Sequence, residues 1–151
     1  MQRRNFLGVM MGAPLGFLVT AWLLPLQALA AVWNKAAFEA IKLDVASESL
    51  SINREMQSQD ITIIAPDRAE NGAVVQIEIM SNIANTEAIA LFVDKNPTPL
   101  IGNFMFGENT MPYLITRIKM AEDSHVKVVV KAGEHYYTNS KKVIVLENGC
   151  G

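Results

Sequence analysis

The sequence predicts an all-β protein, an immunoglobulin-like antiparallel β-sandwich with a short N-terminal helix and a flexible C-terminal arm that carries a cysteine. From residue 61 onward, short apolar runs rich in β-branched residues alternate with turn residues, at the spacing of about eight to twelve positions that is typical of sandwiches. Val75, Ile77 and Ile79 alternate with polar residues, so this strand shows one face to water. Because the chain has one cysteine, the predicted sandwich lacks an inter-sheet disulfide.

The N-terminal segment, residues 1–30, is typical of a twin-arginine export signal. Arg3 and Arg4 are adjacent and precede Phe6 and Leu7, as in the signals of that pathway. The twin-arginine route carries folded proteins, so we expect the chain to fold before it reaches the periplasm. Folding before export suggests a partner that binds in the cytoplasm.

The remainder of this segment fits a cleaved leader. No charged residue occurs from position 5 to position 34, the stretch 8–26 is largely apolar, and Ala28-Leu29-Ala30 supplies a small-x-small cleavage site. We expect a mature chain that begins near Ala31 and has no membrane anchor. The alternative is an uncleaved anchor helix, since the apolar stretch approaches the ~20 residues that span a bilayer.

The charge of the mature chain limits its partners. Loss of the leader lowers the number of basic residues from 13 to 11, against 15 acidic ones, so the formal charge moves from −2 to −4. The mature protein is mildly acidic, and it has no basic stripe with interleaved aromatic residues. We therefore expect no nucleic-acid partner. About 120 residues remain, enough for one domain with a single core.

A short amphipathic helix is predicted directly after the cleavage site. Trp33, Ala37, Phe38 and Ile41 recur at i, i+4, i+5 and i+8, which places them on one helix face. Asn34 can cap the first turn of this helix.

A linker and eight strands follow the helix. The Ser-rich stretch 44–59 has too few apolar residues to fix a period, so we interpret it as a linker with one helical turn that completes the N-terminal segment 31–60. The sandwich then covers residues 61–146. Its predicted strands are 61–64, 74–80, 89–93, 100–106, 113–120, 126–131, 136–138 and 143–146.

The carrier arm, residues 147–151, has Cys150 as its penultimate residue. Gly149 and Gly151 flank the cysteine and Asn148 precedes them, so we expect the thiol to be presented to the outside. No second cysteine can form an intramolecular disulfide with it. The terminal carboxylate and the glutamate before Asn148 disfavour the thiolate. We therefore expect activation by the protein that receives the arm, and no catalytic residue in this chain.

Two other interpretations of Cys150 stay open at this point. An exported immunoglobulin-like interaction module could use the tail thiol for an intermolecular disulfide, since odd cysteines in exported proteins often pair between chains. A copper-binding sandwich could use His125, His135, Cys150 and a methionine. In such copper sites, however, further ligands follow the cysteine within a few residues, whereas here Gly151 ends the sequence.

Four segments, taken in order, match the pattern of one known family. Residues 65–75 read A-P-D-R-A-E-N-G-A-V-V, and residues 93–100 read V-D-K-N-P-T-P-L. Residues 116–122 read T-R-I-K-M-A-E, where the family has T-R-x-K-x-A-E, and residues 143–151 align with its last strand and C-terminal G-G-C-G-G. These segments resemble SoxY, the sulfur-carrying subunit of the periplasmic thiosulfate-oxidising Sox system.

The resemblance implies a carrier that holds sulfur intermediates as covalent adducts on the terminal cysteine, here Cys150, without a cofactor or metal of its own. It implies a heterodimer with SoxZ, a second sandwich that lacks its own signal. It also implies three partner enzymes. A c-type haem enzyme would join thiosulfate to the cysteine, a manganese hydrolase would release sulfate, and a molybdenum enzyme, where present, would oxidise the remaining sulfane sulfur.

The chain departs from the family pattern at the tip of the arm. Asn148 replaces the first glycine of G-G-C-G-G, and the final glycine is missing. Asn is the non-glycine residue that best tolerates positive φ, so we expect this arm to lose only a little flexibility. The shorter overhang after Cys150 bears on how well the arm fits each partner enzyme.

Overall fold

Two packed β-sheets and two short helices make up the described part of the chain. The structure is a computed structural model that describes residues 34–146. The predicted leader 1–30 and the predicted arm 147–151 lie outside these residues, and no helix within them is long and apolar enough to cross a bilayer. The elements in chain order are α1 (Lys35–Glu39), α2 (Leu43–Ser49), β1 (Glu55–Gln57), β2 (Ile61–Ile64), β3 (Arg68–Ala69), β4 (Val75–Ser81), β5 (Thr86–Val93), β6 (Leu100–Met105), β7 (Tyr113–Ile118), β8 (Ser124–Ala132) and β9 (His135–Val145).

The strands confirm the predicted two-sheet sandwich. The larger sheet runs in the order β1-β9-β8-β5-β6, with β3 also paired to β9, and the smaller sheet runs in the order β2-β4-β7. Most neighbouring strands are antiparallel, but β1 and β3 pair with β9 in parallel. The prediction that all strands are antiparallel is therefore wrong for β1 and β3. These two short strands lie in connecting segments that run parallel to β9.

The main core lies between the two sheets, and a second core lies under the helices. Strand β4 alternates buried and more exposed residues, as predicted. On the outer face of the six-stranded sheet, Ala37 and Ala46 of the helices pack in one cluster with Phe92 and Val129. Strand β5 is therefore buried on both faces along residues 88–93, which explains why its sequence is apolar without alternation.

The predicted N-terminal helix is present but shorter than its apolar pattern indicates. Asn34 caps α1 as predicted, since its Oδ1 accepts a hydrogen bond from the Ala37 N–H at 3.1 Å. Ala40 then takes an extended backbone conformation, with φ −63° and ψ 131°, which ends the helix. Ile41 is consequently 77% exposed, so its assignment to the apolar face is wrong. Trp33 lies outside the described residues.

The stretch 44–59 is more structured than the linker prediction allows. It contains most of a second helix, α2, and all of β1. Ala46 and Ile52 are buried in the cluster under the helices, and Glu55 of β1 forms an ion pair with Lys127 of β8 at 2.7 Å. These elements are stabilised by tertiary packing and strand pairing, which a sparse apolar pattern does not reveal.

Six predicted strands correspond to β2, β4, β5, β6, β7 and β8, and the run 61–64 has the bounds of β2. The predicted separation of the runs 136–138 and 143–146 is wrong, because β9 is continuous from His135 to Val145. The Asn139 Nδ2 donates to the Ile61 carbonyl oxygen at 2.7 Å. Two polar residues, Asn139 and Ser140, therefore lie within the strand, where the asparagine side chain is hydrogen-bonded to the opposite sheet.

Candidate functional site

The candidate site is the root of the C-terminal arm, where β9 ends. Cys150, Asn148, Gly149 and Gly151 lie outside the described residues, so their roles stay predictions. Leu146 is the last described residue and is 58% exposed. The contacts just before it show how the sandwich holds the chain that leads to the cysteine.

The segment before β4 holds one edge of the β9 end. Strand β3 pairs in parallel with this edge. The Ile144 N–H donates to the Asp67 carbonyl oxygen at 3.0 Å, and the Leu146 N–H donates to the Ala69 carbonyl oxygen at 2.9 Å. Every second amide of the β9 end is therefore bonded to the backbone of residues 67–69.

A carboxylate holds the opposite edge. The antiparallel ladder between β8 and β9 ends with the pair Ser124 and Val143. Two residues further along β9, the Val145 N–H donates to Asp123 Oδ1 at 2.7 Å. The Asp123 side chain thus supplies the acceptor that a backbone carbonyl would supply in a longer ladder. Strand β9 is consequently bonded up to Val145 on this edge and up to Leu146 on the other.

A loop asparagine, Asn96, fixes the turn between β7 and β8. Its Nδ2 donates to the Lys119 carbonyl oxygen at 2.8 Å, and its Oδ1 accepts from the Ala121 N–H at 2.9 Å. In the same loop, the Lys95 N–H donates to the Ser124 Oγ at 3.1 Å. The turn that carries the aspartate is therefore bonded to this loop at three points.

A turn at Asn71 and Gly72 joins the same region. The Asn71 Oδ1 accepts from the Ala73 N–H at 2.7 Å, a local contact typical of asparagine in turns. The Gly72 carbonyl oxygen accepts from the Met120 N–H at 2.8 Å. Segment 65–75 is therefore bonded to segment 116–122 as well as to β9.

These contacts bring the three internal sequence motifs to one end of the sandwich. The segments 65–75, 93–100 and 116–122 meet around the end of β9. Sequence reasoning singled out the segments but missed the contacts of Asn96 and Asp123. Asn96 lies inside the second motif and Asp123 directly follows the third, which is the signal that could have drawn attention to them.

Several charged side chains near the arm root contact a side chain of opposite charge. Lys141 pairs with Asp67 at 3.1 Å and Lys95 with Glu122 at 3.7 Å, and the His125 ring lies 3.9 Å from Asp94, a contact that becomes an ion pair when the histidine is protonated. All of these side chains are partly exposed, so each pair contributes little to stability.

The geometry contradicts the copper interpretation. Among residues 34–146, no group of three or more His, Cys, Asp and Glu side chains could hold a metal ion. His135 pairs with Ala132, which is seven residues along β8 from His125. At about 3.4 Å per residue this spacing is about 24 Å. The two histidines therefore cannot share one metal ion.

Comparison with family models identifies the family. The model described as "Sulfur oxidation protein SoxY" matches residues 48–150. The chain belongs to the SoxY family. The matched region contains the three motifs at the arm root, Asp123 and Cys150.

A solved SoxY structure shows the same fold. "Structure of the sulfur carrier protein SoxY from Chlorobium limicola f thiosulfatophilum" is 31% identical, with a TM-score of 0.63, and the match covers 69% of this chain and 96% of that chain. A Jonesia denitrificans lytic polysaccharide monooxygenase gives a TM-score of 0.38 at 13% identity, over 70% of this chain and 72% of that chain, which supports no inference. Comparison with curated proteins gave no match. This SoxY-family chain is a sulfur carrier protein of sulfur oxidation and not an enzyme.

Proposed function

We propose that this SoxY-family chain holds thiosulfate-derived sulfur intermediates covalently on Cys150 and presents them to the enzymes of sulfur oxidation in the periplasm. The observation that carries the proposal is the hydrogen bonding of β9 on both edges directly before the arm. A carrier needs a rigid body that ends at a defined point and a narrow segment beyond it. Leu146 marks that point, and the family match extends to Cys150.

The arm has the length and composition that this role requires. Extended chain covers about 3.3–3.6 Å per residue, so the four steps from Leu146 to Cys150 reach about 14 Å. Gly149 and Gly151 add no side-chain bulk next to the thiol. The cysteine can therefore enter a channel that is too narrow for the sandwich, while Asn148 sets the width that the channel must accept just before it.

The attachment of thiosulfate and its later conversion require only a thiol from this chain. A haem enzyme would join the outer sulfur of thiosulfate to the Cys150 sulfur. One S–S bond would form, the thiol proton would leave, and two electrons would pass to the enzyme and its electron acceptors. A manganese hydrolase then uses one water to release the sulfonate group as sulfate, which leaves a persulfide on Cys150. A molybdenum enzyme, where present, would oxidise the outer persulfide sulfur to a sulfonate, with three waters as the oxygen source and six electrons passing to the enzyme. Hydrolysis with one further water would then release sulfate and return the Cys150 thiol.

We propose in addition a heterodimer with a SoxZ-like subunit and export by the twin-arginine route. The resemblance of segment 1–30 to a twin-arginine leader supports the route. A partner without its own signal can reach the periplasm only when it is already bound to a folded chain that carries one. Family membership supports the partner, since SoxY proteins act within the Sox system.

Intact-mass measurement tests the attachment site. The chain isolated from cells that are oxidising thiosulfate should carry a sulfur adduct that is lost on reduction, and Cys150→Ser should carry none. The serine variant should also lose thiosulfate-dependent turnover and keep its thermal stability. A mass gain equal to a second copy of the chain would instead support the intermolecular disulfide, and full turnover by Cys150→Ser would overturn the carrier proposal.

A further inference from the structure

The last residues of β9 extend past the strand that flanks them on one side. Val143 is the last β9 residue with a partner in β8. Beyond this pair, backbone acceptors on that side end, and the Val145 N–H is bonded to a side chain, the Asp123 carboxylate, at 2.7 Å. Val145 is 9% exposed, so its N–H has little access to water as an alternative partner.

The aspartate occupies a turn whose position is fixed from elsewhere. Asn96 bonds to the backbone of Lys119 and Ala121 on the approach to this turn, and Ser124 after it accepts from the Lys95 N–H. The carboxylate is therefore held next to β9 in part by contacts that do not involve β9. A preformed acceptor of this kind costs little conformational entropy when it binds the strand.

We infer that Asp123 is a positioning residue for sulfur transfer: its carboxylate fixes the point at which the cysteine arm leaves the sandwich. The inference rests on the proposed function of Cys150. Loss of the carboxylate leaves the Leu146 N–H bonded to the Ala69 carbonyl oxygen but frees the Val145 N–H on the side of β8. The arm root then loosens by about one residue, Val145.

Fraying at the root weakens capture of the arm by an enzyme. An enzyme that binds the arm must order every residue that is free beforehand, and ordering one residue costs about 1–2 kcal/mol, or about fivefold to thirtyfold in binding. Once the arm is bound, its geometry inside the enzyme is the same in the variant as in the wild type. The expected signature is therefore a raised KM for the loaded carrier with an unchanged kcat.

Amide hydrogen exchange tests the structural half of the inference in the full exported chain. Asp123→Ala should speed exchange of the Val145 N–H by about tenfold or more, because a hydrogen bond to a charged acceptor is lost. Asp123→Asn keeps an oxygen at the same position and should stay close to the wild type. Glu122→Ala removes the adjacent exposed carboxylate, which pairs with Lys95 at 3.7 Å, and should not change Val145 exchange.

Steady-state kinetics tests the functional half. Carrier loaded with thiosulfate on Cys150 is given to the sulfate-releasing hydrolase, and Asp123→Ala should raise KM about fivefold to thirtyfold without changing kcat. Asp123→Asn should restore most of the loss, and Glu122→Ala should behave as the wild type. Slow exchange of the Val128 N–H in β8 in each variant shows that the sandwich remains folded.

Two results overturn the inference. One is wild-type exchange of Val145 in Asp123→Ala, and the other is faster exchange with an unchanged KM. If the wild-type chain takes up no sulfur on Cys150, the proposed function fails by itself, while the exchange comparison still decides whether Asp123 fixes the arm root.

Discussion

The Glu87 carboxylate and the Lys131 ammonium form a hydrogen-bonded ion pair at the end of the sandwich opposite the arm root. The Gly133 N–H donates to Glu87 Oε1 at 3.1 Å, so the carboxylate is also hydrogen-bonded to the backbone of the turn between β8 and β9. The hydrogen bond from Lys131, helped by its charge, lowers the pKa of Glu87. The same hydrogen bond raises the pKa of Lys131.

This pair should make a small pH-dependent contribution to stability. Since the folded-state pKa of Glu87 is lowered, its contribution is present above the unfolded-state pKa and is lost as the pH falls through the folded one. The raised pKa of Lys131 gives a contribution that is lost only as the pH rises through its own folded-state value. Glu87→Gln should therefore lower Tm slightly at pH 7.

The measurement is thermal unfolding of the wild type and Glu87→Gln at neutral and at acidic pH. The difference in Tm between the wild type and Glu87→Gln should disappear at acidic pH, below the pKa of the Glu87 carboxyl group in the folded protein. Glu108→Gln changes a nearby exposed carboxylate and should leave Tm unchanged at both pH values. An equal difference at both pH values would contradict the assignment.

Removal of the Asn96 amide should destabilise the end of the sandwich that holds the arm. Asn96→Ala loses two hydrogen bonds to the backbone, so the free energy of unfolding should fall by about 1–2 kcal/mol. Urea titration should show a lower midpoint with an unchanged slope. Asn103→Ala is the matched control, because Asn103 is exposed and should change the midpoint much less.

Bulk next to the thiol should slow transfer. Gly149→Trp should reduce thiosulfate-driven cytochrome reduction several-fold, because the side chain would have to enter each receiving channel together with the cysteine. Asn148→Gly should be neutral or faster. Equal rates for the wild type and Gly149→Trp would show that the arm does not enter a narrow site.

The chain should work as one half of a heterodimer. Co-expression with a SoxZ-like subunit should give a stable 1:1 complex on a sizing column, and Cys150→Ser should leave that complex intact because the cysteine lies in the arm. A chain that stays monomeric in the presence of the partner would count against this assembly.

Export should depend on the arginine pair. Replacement of Arg3 and Arg4 by Lys should leave the protein in the cytoplasm, since the twin-arginine pathway requires the pair. Cell fractionation with an antibody against the chain measures the distribution. Replacement of Gln2 by Lys adds a positive charge outside the pair and should not impair export. Undiminished periplasmic delivery of the double variant would contradict the assignment of residues 1–30 as a twin-arginine signal.

Elements with an apolar pattern of their own were predictable from the sequence. The run 61–64 coincides with β2, and the alternation of β4 is seen in its burial. Strands β1 and β3 were not predictable, because they are two or three residues long and depend on the backbone of β9. The end of α1 was also missed, since Ala40 has a high helix propensity and its extended backbone depends on tertiary packing.

The candidate site was likewise only partly predictable from the sequence. Cys150 could be proposed as the site from the sequence, because it is the one cysteine of the sequence and Gly149 and Gly151 flank it. The contact between Asp123 and Val145 is not evident, since a charged residue in a turn has many possible partners and only the sheet topology brings these two together. Sequence alone therefore supports a prediction for the sulfur-carrying residue but gives none for Asp123, which bonds to the strand before the arm.

Strand β9 runs from one end of the sandwich to the other, with β8 along one edge and β1 and β3 along the other. The hydrogen bonds to β8 lie across the direction of the strand, and the arm follows β9 directly in sequence. A pull on the arm along the strand axis therefore loads many bonds on both edges at once, in shear, instead of opening them one after another. If enzymes capture the cysteine as proposed, each can pull on the arm and release it without separating the strand from the sheet.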